Sequence, residues 1–305
     1  MPHIVRVFAV ALLALLALPA FAFAASTPIS EVRQLNPDGE VSIDNTKGAV
    51  VVRVADQSEV RISGMLGEGV ERLKIEGDRR HLSIRVINPQ ARGWFGNWGG
   101  AKTGDTRLEI TVPAHASVAV EGVSAVTDIK GVAGRRLSVN TVSGNVEVEA
   151  SPGEARVESV SGDLHLRLDT SKTHAETVSG DLDLQGRING EVSVGTVSGH
   201  IVLRAEKPSD IDVSAVSGDA ELRTGLAPGG QLKAESTSGD LTLMLPAASS
   251  ARLQLSSFSG TIRSDSGDVE TPEHGPGASL KTRIGRGDAS VTLESFSGNV
   301  NVKLN

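Results

Sequence analysis

The chain of 305 residues holds 30 lysines and arginines against 37 aspartates and glutamates, with 34 glycines and neither cysteine nor tyrosine. The lack of cysteine excludes disulfides, thiolate metal sites and a lipidated N-terminal cysteine. The mild acidic balance, spread along the chain, argues against nucleic acid as a partner, and abundant glycine with few aromatics suits many short strands and tight turns.

The first 24 residues read as a secretory signal peptide. His3 and Arg6 precede an apolar run from Val7 to Leu18, Pro19 breaks it, and Ala22-Phe23-Ala24 supplies the small-x-small cleavage pattern. The run is short for a membrane span. The mature chain is therefore expected to be exported, whether periplasmic, on the cell surface or secreted, with no transmembrane segment. Once Arg6 leaves, 29 basic side chains remain against 37 acidic ones.

From about residue 30 the pattern is period-2 alternation, the mark of strands with one buried face. Val41, Ile43 and Asn45 lead to a turn at Lys47-Gly48, and Val50 and Val52 follow in matching register. Leu73-Lys74-Ile75 with Leu82-Ser83-Ile84 reads as a next unit, and Leu108-Glu109-Ile110 with Val118-Ala119-Val120 as another. Between them, residues 88–106 interrupt the pattern. Of five aromatics in the mature chain, three lie in this insertion: Trp94, Phe95 and Trp98. Insertions in regular scaffolds often carry function, so these three are the candidate contacts for a ligand or partner, the alternative being a cover over the fold.

Downstream, Val-Ser-Gly or a close variant recurs with its glycine at Gly144, Gly162, Gly180, Gly199, Gly218, Gly239, Gly260 and Gly298, at spacings of 18, 18, 19, 19, 21, 21 and 38. Aliphatic residues alternate on both sides of each glycine, as in Leu137 and Val139 before Gly144 and Val146 and Val148 after it. Glycine at each corner is expected to supply backbone angles that other residues resist. The residue after it is mostly a turn former: Asn145, Asp163, Asp181, His200, Asp219, Asp240, Thr261, Asn299. The double-length last interval implies a drifted unit or an insertion, and its Gly/Pro/Ser-rich stretch reads as a loop over 264–278.

These features predict an all-β fold: one parallel β-solenoid domain over residues 30–305, with coils of about 19 residues and Val-Ser-Gly-Asp corners. About a dozen coils would make a rod of roughly 55–60 Å. Parity alone also allows antiparallel hairpin repeats. Near-constant unit length and identical corners favour stacked coils. The segment Ser124-Ala125-Val126-Thr127 departs from the pattern, and no regular corner is expected there.

Gly39-Glu40-Val41-Ser42-Ile43, the Leu108–Pro113 segment, the serial Val-Ser-Gly-Asp-Leu units and the closing Ile284-Gly285-Arg286-Gly287-Asp288-Ala289 with Phe296-Ser297-Gly298 resemble the bacterial DUF4097 family of "putative adhesin" β-strand-repeat proteins. The resemblance covers nearly the whole mature chain. It implies a β-helix-like fold, a cell-envelope setting and no catalytic residues.

The chemistry-bearing residues favour structure over catalysis. Asp163, Asp181, Asp219 and Asp240 share one repeat position, but no second carboxylate recurs beside it as a calcium site would need. The serines at Ser143, Ser161, Ser179, Ser198, Ser217, Ser238, Ser259 and Ser297 are too repetitive to be nucleophiles and suggest a hydroxyl ladder in the corners. His81, His115, His165, His174, His200 and His274 lack zinc-motif spacing. Glu147, Glu158, Glu176 and Glu221 point outward and could stack into one acidic face. Arg286-Gly287-Asp288 reads as a Gly-Asp corner of a coil. No catalytic residue, metal or cofactor is therefore expected. The expected role is a structural or adhesion-type binder of an envelope or surface component, protein or glycan. Two alternatives are a regulatory or sensing partner in envelope stress and a glycan-active β-helix enzyme.

Overall fold

The computed structural model describes residues 27–89 and 103–305. The leader, and Trp94, Phe95 and Trp98, lie outside the described residues. The N-terminal strands are β1 (Thr27–Gln34), β2 (Glu40–Ala55), β3 (Glu59–Leu66), β4 (Arg72–Gly77), β5 (His81–Ile87), β6 (Thr106–Pro113) and β7 (Ser117–Lys130). The repeat then gives two strands per coil, one before and one after each corner: β8 (Arg136–Ser143) and β9 (Val146–Ala150), β10 (Glu154–Ser159) and β11 (Leu164–Leu168), β12 (Thr170–Thr177) and β13 (Leu182–Gly186). Four more follow in β14 (Ile188–Thr196), β15 (Ile201–Ala205), β16 (Asp210–Ala215) and β17 (Ala220–Thr224). The chain ends with β18 (Gln231–Ser236), β19 (Leu241–Leu245), β20 (Ala251–Ser257), β21 (Ile262–Ser264), β22 (Ala278–Ile284), β23 (Ala289–Ser295) and β24 (Val300–Leu304).

Pairing identifies the architecture. Ala155 in β10 lies between Leu137 of β8 and Thr173 of β12, both in parallel. Leu166 in β11 lies between Val148 of β9 and Leu184 of β13, again in parallel. Each coil thus stacks on the one before it, and the inward aliphatics form continuous stripes in a single apolar core. This is a β-solenoid with two parallel sheets meeting at the corner column. Antiparallel pairing is confined to the ends: β1 with β3, β3 with β6, β4 with β5, and β20 with β22.

Sequence order and stacking order differ at both ends. Near the N-terminus, β5 and β6 together make one coil, packed in parallel against the two halves of β2. The expected units 73–75 with 82–84 and 108–110 with 118–120 are therefore wrong. β4 and β5 form an antiparallel hairpin, while β7 supplies both strands of its own coil. Parity could not show this, because hairpin and coil bury the same alternate residues.

At the other end, the last coil, β23 and β24, wedges between β18–β19 and β20–β21. Of the two readings of the double-length interval, the insertion holds: β22 runs antiparallel along the outer side of β20 and has no corner. Counting coils along the stack gives eleven (β5–β6, β2, β7, then eight from β8–β9 to β20–β21), slightly fewer than the dozen expected.

The departure expected at Ser124–Thr127 does not occur. Ser124 pairs with Ser143 and Thr127 with Val146, so register is kept through the corner. Ala125 takes the glycine position and is fully buried. The glycines on either side of it in the column, Gly48 and Gly144, have φ of +114° and +137°, a region that favours glycine.

Candidate functional site

The corner column is the distinctive surface of this molecule, and its glycines have an unexpected reason. Apart from Gly144, none of the repeat glycines has a left-handed φ. What excludes a side chain is close stacking. A Cβ on Gly162 would lie 2.2 Å from the carbonyl oxygen of Gly144, one on Gly180 2.3 Å from that of Gly162, and one on Gly199 2.0 Å from that of Gly180. The series continues through Gly218, Gly239, Gly298 and Gly260, in that stacking order. From Gly162 onward each backbone sits directly on the one below, and there only glycine allows it.

The next position carries a hydrogen-bond ladder. Asp163 N donates to Asn145 Oδ1, Asp181 N to Asp163 Oδ1, and His200 N to Asp181 Oδ1. Asp240 N donates to Asp219 Oδ1, Asn299 N to Asp240 Oδ1, and Thr261 N to Asn299 Oδ1. The acidic row thus satisfies the amide of the next coil, rather than an amide of its own turn. Its carboxylates are committed to backbone donors, which leaves little for a row of cation sites.

The expected serine ladder lies elsewhere. Among the described residues, only Ser143 of the repeated serines places its hydroxyl in a hydrogen bond, to Val123 O and Ser124 Oγ. The others act through their backbone, as when Ser179 N donates to Val160 O. The working hydroxyls belong to buried residues two places earlier: Ser236 Oγ accepts from Gly239 N, and Ser257 Oγ accepts from Gly260 N and donates to Gly298 O.

Between these hydroxyls and the serines stands a residue absent from the candidates drawn from the sequence. Val142, Val160, Val178, Val197, Val216, Phe296 and Phe258 are between 43% and 56% exposed. With Thr237 between Val216 and Phe296, they stack in single file as an apolar ridge. The signal was present in the sequence: Thr141 faces inward, so Val142 must face out. Beside the ridge, two residues earlier in each coil, runs the column Asn140, Glu158, Glu176, Gly195, Ser214, Glu235, Glu294, Ser256. Neither this column nor the Asp column holds a lysine or arginine. A shallow groove of about 430 Å³ follows the ridge past Val178, Val197 and Val216, and a larger one of about 780 Å³ lies at Phe258 and Phe296.

Of the other candidates, Glu158 and Glu176 flank this ridge, while the rest fall away from the edge or into structural roles. Glu147 and Glu221 lie on the post-corner sheet and Glu158 and Glu176 on the pre-corner sheet, so they do not form one acidic face. Glu147 pairs with Lys130 at 2.9 Å and Glu221 with Arg223 at 2.6 Å. Coil stacking does bring Glu158, His174 and Glu176 together, with His174 Nε2 3.5 Å and 3.3 Å from the two carboxylates. Spacing motifs could not show this, because the contact depends on coil register. Arg156 also binds Glu158, so one carboxylate already has its cation.

Arg286-Gly287-Asp288 is not a coil corner. It is the crossover from β22 to β23 around Ser250, whose Oγ accepts from the amides of both Arg286 and Asp288. The Ser250 hydroxyl and the Arg286 guanidinium hold the Asp288 carboxyl below its ordinary range. The strands flanking the aromatic insertion, β5 and β6, end and begin at the corner edge, since Thr106 pairs with the corner residue Gly48.

Residues 39–303 match the family model described as Toastrack DUF4097. The chain belongs to the DUF4097 family. No curated protein matches it. A solved structure described as a putative adhesin from Parabacteroides distasonis ATCC 8503 is similar at 13% identity, with a TM-score of 0.52, covering 92% of this chain and 98% of that one. Another putative adhesin, from Bacteroides fragilis NCTC 9343, aligns at 11% identity and TM-score 0.45 over 92% and 98% of the two chains. At such identities the likeness is one of fold. Among the described residues no helix is long and apolar enough to cross a membrane.

Proposed function

We propose that this DUF4097 protein is an exported binding scaffold of the cell envelope, without catalysis, and that it binds through its corner edge. The observation that carries the reading is the exposed Val/Phe ridge. Single exposed aliphatics are ordinary, whereas five valines in one file, continued past Thr237 by two phenylalanines, mark an interaction site. A solenoid supplies a long straight edge suited to extended partners. Trp94, Phe95 and Trp98 join the proposal as contacts, because their insertion interrupts the same edge. The envelope address rests on the leader-like sequence of residues 1–24.

The test replaces Val142, Val160, Val178, Val197 and Val216 together by threonine, which keeps the β-branched shape and removes the apolar surface. The wild type is expected to retain defined envelope components in a pull-down that the variant does not, with equal melting temperatures. Identical capture by both would remove the ridge from the binding surface. A parallel assay on envelope glycans is expected to show no turnover, and release of reducing ends would establish an enzyme instead.

A further inference from the structure

The distal end of the ridge is built differently from the rest. Phe296 and Phe258 replace valine, and their rings stack with centroids 4.9 Å apart and planes 8° from parallel. The segment after β21 forms the facing wall, pinned where Glu270 and Ser279 exchange backbone hydrogen bonds of 2.8 and 2.9 Å. Pro272 and Ala278 extend its apolar lining. The charged side chains of the groove are Glu235, Glu270 and Glu294, with no lysine or arginine in the lining. Glu235 meets Lys233 at 2.6 Å from outside the groove. Among the described residues Glu270 and Glu294 have no ion pair.

Aromatic rings in one groove with carboxylates outside any ion pair suit a cation on an apolar stem. The apolar stem packs against the two rings, while the cationic head reaches the acids. The acidic character continues along the edge, where Glu158 and Glu176 flank the valines on one side and Asp163 and Asp181 on the other, although Arg156 offsets Glu158 and the aspartates accept backbone amides. Such an edge repels an anionic lipid surface and attracts a basic chain. We infer that the Phe258–Phe296 groove takes an arginine or lysine side chain from an extended, basic and apolar peptide segment of a partner protein, which lies along the ridge. This rests on the corner edge being the binding surface.

The probe is a fluorescent peptide of alternating Arg and Val, compared with Ser-Val and Glu-Val counterparts and with vesicles of anionic phospholipid. Fluorescence anisotropy is expected to show saturable binding of the Arg-Val peptide alone. Binding should weaken at least tenfold in Glu270→Gln/Glu294→Gln, in Phe258→Ala/Phe296→Ala, and in 0.5 M salt. Phe296→Leu, which keeps the apolar floor and loses the ring, should show an intermediate loss. Melting temperatures should be unchanged, since all four side chains are exposed. Equal binding of the Ser-Val peptide, or no effect of Glu→Gln, would overturn the cationic assignment yet leave the ridge as a binding edge. Vesicle binding without peptide binding would overturn the partner class, and absence of any peptide binding would overturn the inference outright. Only an unaffected threonine-ridge variant would overturn the edge itself.

Discussion

The backbone amide of Asn299 donates to Asp240 Oδ1 at 2.8 Å, although 59 residues separate them in the chain. Asn299 Nδ2 also reaches both oxygens of that carboxylate. Thr261, which precedes Asn299 in sequence, stacks beyond it and donates to its side chain at 3.1 Å. The last coil is therefore a wedge, and β20–β21 can complete their parallel pairing only after the C-terminus arrives.

That order makes the end of the solenoid depend on β23. Leu293→Ala, at a fully buried position, should cost about 2–5 kcal/mol in denaturant unfolding. It should also speed hydrogen exchange in β20 more than in β10. Unchanged protection of β20 would contradict the wedge.

The glycine column and the serine column should respond oppositely. Gly199→Ala would place a methyl 2.0 Å from a backbone carbonyl that cannot move alone, and about 2–3 kcal/mol or more of stability should be lost. Ser198→Ala, one residue earlier and exposed, should stay within about 0.5 kcal/mol of wild type. Equal effects would show that the corner does not require close backbone stacking.

His200 interrupts the side-chain ladder, since its amide donates to Asp181 while its imidazole offers the next coil no carbonyl. His200→Asn supplies an acceptor for Asp219 N and a donor toward Asp181, as Asn299 does for its neighbours. The variant should gain about 0.5–1.5 kcal/mol, read as a higher midpoint in urea. A loss would mean that the ladder does not stabilise the stack.

Acid should weaken the return turn between coils. The Arg187 guanidinium, and then its backbone amide, hold the Asp169 carboxyl below its ordinary value of 3.8. A depressed carboxylate stabilises the fold above the unfolded-state value and stops doing so as pH falls through the folded one. Wild type should therefore melt above Asp169→Asn at neutral pH, and the two curves should converge in strong acid. A difference that persists there would assign the effect to packing.

Trp94→Ala/Trp98→Ala should leave the far-UV spectrum and melting temperature unchanged and reduce binding to the envelope component captured by the wild type. A large fall in melting temperature would show that the insertion covers the solenoid.

Much of this was legible in the residues. Alternation at Leu137, Val139, Val146 and Val148 determined the strands, their buried faces and the corner at Gly144, because burial of alternate side chains is a local demand that each unit must meet. The outward valine was equally fixed by parity, though its meaning emerges only when the copies stand in one file. Tertiary structure alone decided which coil sits on which: the wedge of β23–β24, the pairing of β5 with β6, and the meeting of Phe258 with Phe296 and of His174 with Glu158 and Glu176. Every coil presents nearly the same aliphatic stripe and the same backbone edge, so local pattern cannot choose among neighbours. That choice belongs to loop lengths, end strands and the complementarity of whole coils.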